Sequence, residues 1–491
     1  MSKEQLAELY EAALANIEKL QNQVTWFRRQ MFGKKSERHL PTDPGQLTLD
    51  LGASLAAAEE DKQAEKIKVE YERNKRKDRK EKPVRSDLPA HLPREERIIE
   101  PEGDLTGMVK IKDVITEWLE EIPGRIYVVR EVKPVYGYKN DPDKGLIQAK
   151  ATVRPLQKFS VGVGMLVLIM IRKYVDHLPV YRQRQIYKRA GLDIAESTLH
   201  GWMKAGANLL IPLYERLRYL LLTGIYIQSD DTRFKVLMEK GNRETLLGNF
   251  WIYQDPVNKI VIFDYRPTRE KEGPASVLDT FEGFLQTDGN TTYEAVCKGK
   301  PIVLFNCWAH ARRNFEEAKD NDPKRAEEIL LLIQKLYKVE RTARENNYSF
   351  EERHALRQEE SLTVLSEIKA WLIKNLIETT PASLMGKAIA YALSRFEELS
   401  TYCKNGMLEI DNNLAENSIR PVVLGRKNFM FAANHESAQR AAMIYSLVIT
   451  CKQLGINPEA YLKDVLPKLA TWPQERFDEL LPQNWKPAEV A

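Results

Sequence analysis

Apolar side chains recur at alternating steps of four and three near the start of the chain: Leu6, Tyr10, Ala13, Ile17, Leu20, Val24, Phe27 and Met31. A heptad seam of this length predicts a coiled-coil arm over residues 1–35. A single amphipathic helix folded onto its own domain would carry the same stripe. The charged residues off the seam and the breaker "FGKKSERHLPTDPG" that follows favour a separate arm, and with it self-association.

The period is then lost. Residues 36–90 read as a flexible basic linker, and "ERNKRKDRKEKPVR" at 72–85 has no apolar repeat. Such runs are commonly solvated; a polyanionic partner is the alternative. Alternation in "GRIYVVREVKPVYGY" predicts two or three strands of a small β-containing module over 91–150. The run "VGVGMLVLIMI" at 161–171 is about half the ~20 residues a membrane span needs, and reads as a buried helix. "LPVYRQRQIYKRAGLDIAESTLHGWMKAGANLL" then gives a helix, a break at Gly191 and a second helix capped near Glu196-Ser197. That is a helix-turn-helix pattern, assigned to 151–215. Its first helix carries Arg182, Arg184, Lys188 and Arg189, and its second offers Ser197, Thr198, His200 and Lys204. Helical hairpins are common, so this stretch alone leaves DNA binding open.

From residue 224 the period becomes two. "GIYIQSDDTRFKVL", "LLGNFWIYQD" and "KIVIFDYRP" predict a three-stranded meander. "PASVLDTFEGF" reads as a helix, "GFLQTDGN" as a strand ending at Asp288, and "PIVLFNCWAH" as a fifth strand. Three strands, helix, strand, helix, strand is the order of an RNase H-like fold. The expected class is therefore multidomain α/β. Its core spans 216–440, an all-helical insertion interrupts it at about 318–402, and a helical extension follows over 441–491.

Composition narrows the function classes. Hydrophobic residues at 43% and charged residues at 29% fit a soluble globular chain, too long at 491 residues for one ordinary core. The N-terminus lacks a signal-peptide apolar stretch, and Cys297, Cys307, Cys403 and Cys451 form no CxxC pair. A reducing, cytoplasmic compartment is expected, with no membrane partner.

Asp230 ends the first strand of the core and Asp288 the fourth, and these strands are neighbours in the expected sheet. Two facing carboxylates suit metal-assisted phosphoryl transfer, in which two ions about 3.5–4 Å apart serve the attacking and leaving oxygens. A third carboxylate must arrive from a helix, and Glu416 in "LEIDNNLAENSIRPVVLGRKNFMF" is the candidate. Each acid has an ordinary alternative: a turn former at a strand end, or half of an i,i+4 pair between Glu416 and Arg420. The repeated placement of acids at one edge shifts the balance.

"QTDGNTTYEAV", "CWAHARRNF", the segment containing Glu416 and "AAMIYSLVITCKQLGINPEAYL" closely resemble the core motifs of the insertion-sequence 66 family of bacterial transposases. The helix-turn-helix stretch and "ELLPQNWK" resemble it too, and the N-terminal heptads with "FGKKSER" are similar to its leucine-zipper-like arm. The resemblance implies a DDE transposase, a metal-dependent polynucleotidyl transferase that binds its element's ends and catalyses DNA cleavage and strand transfer. It maps the metal-binding triad to Asp230, Asp288 and Glu416, with Asp231 as rival for the first position and Asp411 a weaker rival for the third. Mg²⁺ or Mn²⁺, two ions, is the cofactor it implies. The family's usual cysteine zinc module has no counterpart in the cysteine-free residues 86–150, so no zinc is expected.

Cys307 and His310 have a metal-like spacing but lack two further ligands, which favours packing for Cys307. His310 either approaches the scissile phosphate or makes a structural hydrogen bond. Arg312, Arg313, Arg420, Arg426 and Lys427 supply cations where DNA phosphates would lie, and Arg182, Arg184, Lys188, Thr198, His200 and Lys204 are the further DNA-binding candidates. The expected partners are transposon-end and target DNA, a second copy through the coiled coil, and element-encoded accessory proteins. The expected location is a bacterial cytoplasm, at the nucleoid. The competing reading is a DNA-end-binding protein that lacks catalysis or needs accessory proteins for it. A nuclease acting on RNA hybrids leaves the arm and the helix-turn-helix unexplained.

Overall fold

The computed structural model describes residues 124, 126–129, 135–137, 146–148, 154–156, 159–237 and 245–487. The coiled-coil arm expected at 1–35 and the linker at 36–90 lie outside the described residues. The described residues divide into two compact units, one within 124–148 and one within 154–487. In the first, β1 (Val135–Gly137) and β2 (Leu146–Gln148) form an antiparallel pair.

In the second unit the apolar run forms α1 (Val163–Tyr174), with Leu166, Val167, Ile169 and Met170 buried. α2 (Val180–Arg189) and α3 (Glu196–Leu209) follow, separated by a turn in which Gly191 takes φ 82°, a left-handed conformation that suits a residue without Cβ. Neither Glu196 nor Ser197 caps α3; the cap position is Ala195, without a side-chain bond. The turn is held from α2 instead. Arg184 donates to Ile194 O at 3.0 Å and to the Asp193 carboxylate at 3.2 Å. Gln183, buried, ties α2 to α1 by donating to Ile169 O at 3.2 Å. α4 (Ile211–Leu222) leads into the sheet.

β3 (Tyr226–Leu237), β4 (Thr245–Asp255) and β5 (Ile260–Arg266) make an antiparallel meander. α5 (Glu272–Val277), β6 (Gly283–Thr287), α6 (Thr291–Cys297) and β7 (Ile302–Asn306) complete a five-stranded sheet of order β5-β4-β3-β6-β7, with β6 parallel to β3 and β7. The expectation that the first strand ends at Asp230 is corrected. β3 runs on to Leu237, because β4 continues to pair with it after β6 has ended.

α7 (Trp308–Ala318), α8 (Pro323–Glu345) and α9 (Phe350–Leu356) come next, then a π-helical turn (Arg357–Ser361) and α10 (Leu362–Glu378). α11 (Leu384–Ser394), α12 (Phe396–Ser400) and a 3₁₀ turn (Thr401–Lys404) close this helical stretch. α13 (Asn413–Phe429), α14 (His435–Gln453) and α15 (Pro458–Leu469) follow, then a second 3₁₀ stretch (Gln474–Leu480). One apolar core joins α1–α4 and α13–α15 to the sheet; a second joins α7–α12 to Tyr226 and Phe305. α14 also covers the free edge of β5. Ser446 Oγ accepts from Phe263 N at 2.8 Å and Thr450 Oγ1 from Val261 N at 3.0 Å, so buried edge amides find partners.

A buried charge cluster fastens the second core to the sheet. Arg357, 0% exposed, donates to the Glu340 carboxylate at 2.7 and 2.8 Å and to the carbonyls of Tyr402, Asn405 and Leu408. Arg353 bridges the same Glu340 to Glu409. Burial works to raise the Glu340 carboxyl, but the hydrogen bonds and charges of Arg357 and Arg353 overcome it and hold the group below its usual range. Gly406 completes the seal, since a Cβ there would lie 1.7 Å from Phe350 O. Arg357→Met, which leaves Glu340 with Arg353 as its one cation and strips three buried carbonyls of their donor, should destabilise the protein by about 3–5 kcal/mol in urea unfolding. Lys335→Ala, breaking the half-exposed pair with Glu367, should change it by less than about 1 kcal/mol.

Candidate active site

Two strands arrive at the site with the same sequence pattern, Gln228-Ser229-Asp230 and Gln286-Thr287-Asp288. β3 and β6 pair in parallel with Gln228 opposite Gln286, so two residues further on Asp230 and Asp288 stand level. The two glutamines, 0% exposed, form the floor with Tyr226: its hydroxyl and Gln228 Nε2 both bond to Gln286 Oε1 at 2.5 and 2.9 Å. The same amides capture the segment before α13. Gln286 donates to Glu409 O and Gln228 to Asp411 O, both at 2.9 Å, while Ala415 N donates to Gln228 Oε1 at 3.3 Å. Trp308 N donates to Ile410 O at 3.1 Å. The start of α13, with Glu416 in its first turn, is thereby pinned over the ends of β3 and β6.

The three expected carboxylates come together. Asp230 is pushed up to about 7, first by burial and then by the charges of Glu416, Asp288 and Asp231. Glu416 does not form the helical pair with Arg420. Its Oε1 lies 3.7 Å from His310 Nε2 and its Oε2 3.9 Å from Arg313. Glu416 Oε1 and His310 Nδ1 are buried and have no hydrogen-bond partner among the described residues. Burial lowers the His310 pKa against the pull of Glu416, which keeps the ring neutral near pH ~7.

The two rivals are engaged elsewhere. Asp231 points to the opposite face of β3 by strand alternation and accepts from Arg269 Nη2 at 2.8 Å. Asp411, pushed up to about 6 by burial, accepts from Tyr337 and from Asn413 N at 3.2 Å. Cys307 is fully buried, and its Sγ accepts from Asn412 N at 3.3 Å. It is a packing residue beneath the segment.

Of the cations, Arg313, Arg420 and Lys427 are exposed, Arg312 pairs with Glu316 at 3.7 Å, and Arg426 donates to Thr232 Oγ1 at 2.7 Å. In the helix-turn-helix, Arg182, Lys188, Thr198, His200 and Lys204 are exposed. His200 lies 3.7 Å from Glu196, Lys204 lies 3.7 Å from Glu436, and Arg184 is taken by its turn. Sequence reasoning missed Arg269, Gln228 and Gln286. For the glutamines a signal existed: an amide two residues before each aspartate, inside an apolar strand, has to find a buried partner.

Hard oxygen donors with an orphaned buried carboxylate oxygen suit a hard divalent cation. Among the described residues no three His, Cys, Asp or Glu side chains are grouped to hold an ion by themselves. Mg²⁺ takes only one or two carboxylates and fills its shell with water and phosphate oxygens, so the set fits on those terms. Without a cation, burial and then the neighbouring acids disfavour the charged form of Asp230, and the sign is testable. Asp230 ionises at 3.8 when free and about 7 when folded, so the folded chain holds the proton more tightly between these values and loses stability as pH rises through them. In metal-free protein Asp230→Asn should be increasingly favoured over the native chain from about pH 4 to about pH 7, levelling off at about 4 kcal/mol. Paired urea titrations across that range check it; a pH-independent difference would refute the raised pKa of Asp230.

Comparison with known sequences places the chain in a family. A family model described as "Transposase IS66 family" matches residues 158–440. Models described as "Transposase C of IS166 homeodomain" and "IS66 C-terminal element" match 19–97 and 446–483. Uncharacterized protein y4jD of Sinorhizobium fredii (strain NBRC 101917 / NGR234) is 30% identical over 510 residues, covering 99% of this chain and 98% of the relative. Uncharacterized protein y4hP of the same organism is 30% identical over 501 residues, covering 96% and 89%. With the family model spanning more than half of its length, the chain belongs to the IS66 transposase family.

Proposed function

We propose that this transposase binds the ends of its insertion sequence and cuts and joins DNA at Asp230, Asp288 and Glu416, on an RNase H-like core. The observation that carries the reading is the approach of these acids from β3, β6 and α13, with a buried Glu416 oxygen that accepts no hydrogen bond from a described residue. The strand order β5-β4-β3-β6-β7, three antiparallel and two parallel, supports the core assignment.

Two divalent cations, Mg²⁺ or Mn²⁺, would be held by Asp230 and Asp288 with Glu416 completing the set, and would supply Lewis-acid activation of the attacking oxygen and charge relief at the leaving one. The chain's own residues do the rest. Gln228 and Gln286 fix the spacing of the two strands and of the segment before α13. Neutral His310, beside Glu416, can take a proton from the attacking water or hydroxyl. Arg313, Arg420 and Lys427 lie exposed around the notch and along α13, where they can hold phosphates. Hydrolysis releases a 3′-hydroxyl at the element end, and that hydroxyl then attacks target DNA in the same site. Thr198 and His200 on α3 read the end sequence, while Arg182 and Lys188 on α2 contact the backbone; Arg184 serves the turn.

Labelled DNA carrying the element ends, incubated with protein and Mg²⁺ or Mn²⁺, tests the reading. Asp230→Asn, Asp288→Asn and Glu416→Gln should each abolish cleavage while keeping end binding, since each preserves size and removes a ligand charge. Binding without metal-dependent cleavage by the native chain would favour a DNA-end-binding protein instead. Thr198→Ala with His200→Ala should lower discrimination between element ends and random DNA by roughly 1–3 kcal/mol in titrations at matched salt. An unchanged specificity ratio would put end recognition elsewhere.

A further inference from the structure

Beyond the acids, β3 continues without β6, and its freed edge is taken by the chain leaving α13. Leu237 N donates to Ala432 O and Ala432 N to Lys235 O, both at 2.9 Å. Between this junction and the ends of β3 and β4 lies a groove of about 560 Å³ lined by Arg233, Lys235, Arg426, Lys427, Met430 and Phe431. None of the four cations is ion-paired with a described carboxylate, and Arg426 Nη1, which donates to Thr232 Oγ1 and Arg233 O, is held facing the groove with its charge uncompensated. Met430 takes φ 61°, strained for a residue with a Cβ, and this turn leaves Met430 66% and Phe431 40% exposed. Unpaired cations beside exposed apolar side chains on a strained turn need a ligand that is both anionic and flat-faced. Duplex DNA offers phosphates but hides its base faces; a single strand offers both.

We propose that this groove is a subsite for a single-stranded nucleotide extension next to the cleavage notch. Its phosphates lie on Arg233, Lys235, Arg426 and Lys427, and a base lies on Phe431 and Met430. The proposal rests on the DNA-cleaving reading above and names what that site must also hold. Arg233 and Lys235 lie three and five residues past Asp230, about 10 and 17 Å along the strand and on the opposite pleat. The extension therefore passes around the bare edge of β3 rather than over the acids.

Fluorescence anisotropy of the full chain in EDTA, with blunt duplex, the same duplex carrying a short single-stranded overhang, and single-stranded oligonucleotide, tests this without any cleavage. The native chain should bind the overhang duplex more tightly than the blunt one. Phe431→Ala should erase that preference, lowering overhang affinity about 5- to 100-fold and blunt affinity little. Met430→Gly, which relieves the positive φ, should bind the overhang more weakly although it folds at least as stably; Phe431→Leu separates loss of the ring from loss of folding. Arg233→Ala with Lys235→Ala should flatten the salt dependence of overhang binding, by roughly 0.7 in log–log slope for each phosphate left without its cation. Equal native affinity for blunt and overhang DNA, a preference surviving Phe431→Ala, or displacement by polyglutamate as effective as by oligonucleotide would each overturn the proposal. A native chain that cleaves but shows no overhang preference fails this inference alone, whereas absent cleavage fails the reading beneath it.

Discussion

The architecture turns on one buried guanidinium. Arg357 reaches back to Glu340 on α8 and forward to three carbonyls between Tyr402 and Leu408, so it closes the helical stretch on itself at the point where the chain re-enters the sheet. An isolated buried charge is heavily penalised, but here all its polar directions are answered, and Arg353 carries the link on to Glu409. The π-helical turn at Arg357–Ser361 belongs to this arrangement, since it lies where Arg357 has to enter the core. Helices α8–α12 are thus a brace for the segment that presents Glu416. That segment has no regular secondary structure of its own from Asn405 to Asn412 to hold it in place.

Around the acids the balance runs the other way. Burial, and after it the charges of the neighbouring acids, raises Asp230 to about 7, and Glu416 Oε1 is buried without a hydrogen-bond partner among the described residues. Arg269 relieves Asp231 and Tyr337 relieves Asp411, yet Glu416 has only the neutral His310 ring at 3.7 Å and the Arg313 guanidinium at 3.9 Å. Buried polar atoms without partners occur elsewhere in the fold, Asn249 and Tyr253 among them, but at this cluster the uncompensated groups are carboxylates. A local cost of that kind marks a candidate functional site.

Much of this is legible in the chain, and the gaps have physical causes. Alternating apolar positions locate the strands of the sheet, since a half-buried strand has to repeat every second residue. The limit of β3 is misplaced at Asp230 because polar residues mark a strand's end only when its pairing ends with them, and β4 carries β3 on to Leu237. The acids can be gathered because Gln-Ser-Asp and Gln-Thr-Asp repeat at equivalent strand positions. Arg184 groups by charge with phosphate-binding arginines, whereas its bonds to Asp193 and Ile194 hold the turn, a distinction invisible to charge counting. Arg357 cannot be found from the sequence at all: its partners lie 17 to 51 residues away, and no local period encodes them.

One asymmetry of the sheet links these features. β6 stops at Thr287 while its neighbour β3 runs nine residues past their last shared pair, from Gln228 to Leu237. A strand edge left bare must be covered or paired. Its near end is capped by the start of α13, held by Gln228, which brings Glu416 to the level of Asp230 and Asp288. Its far end pairs with Ala432, which fixes where α13 must finish and turns Met430 and Phe431 outward. The length of α13 is therefore set by the strand beside it: the same helix has to deliver a carboxylate at one end and a cationic, apolar lip at the other. Lengthening β6 along β3 would compete with α13 and Ala432 for that same edge, so the short strand is what lets α13 reach the acids.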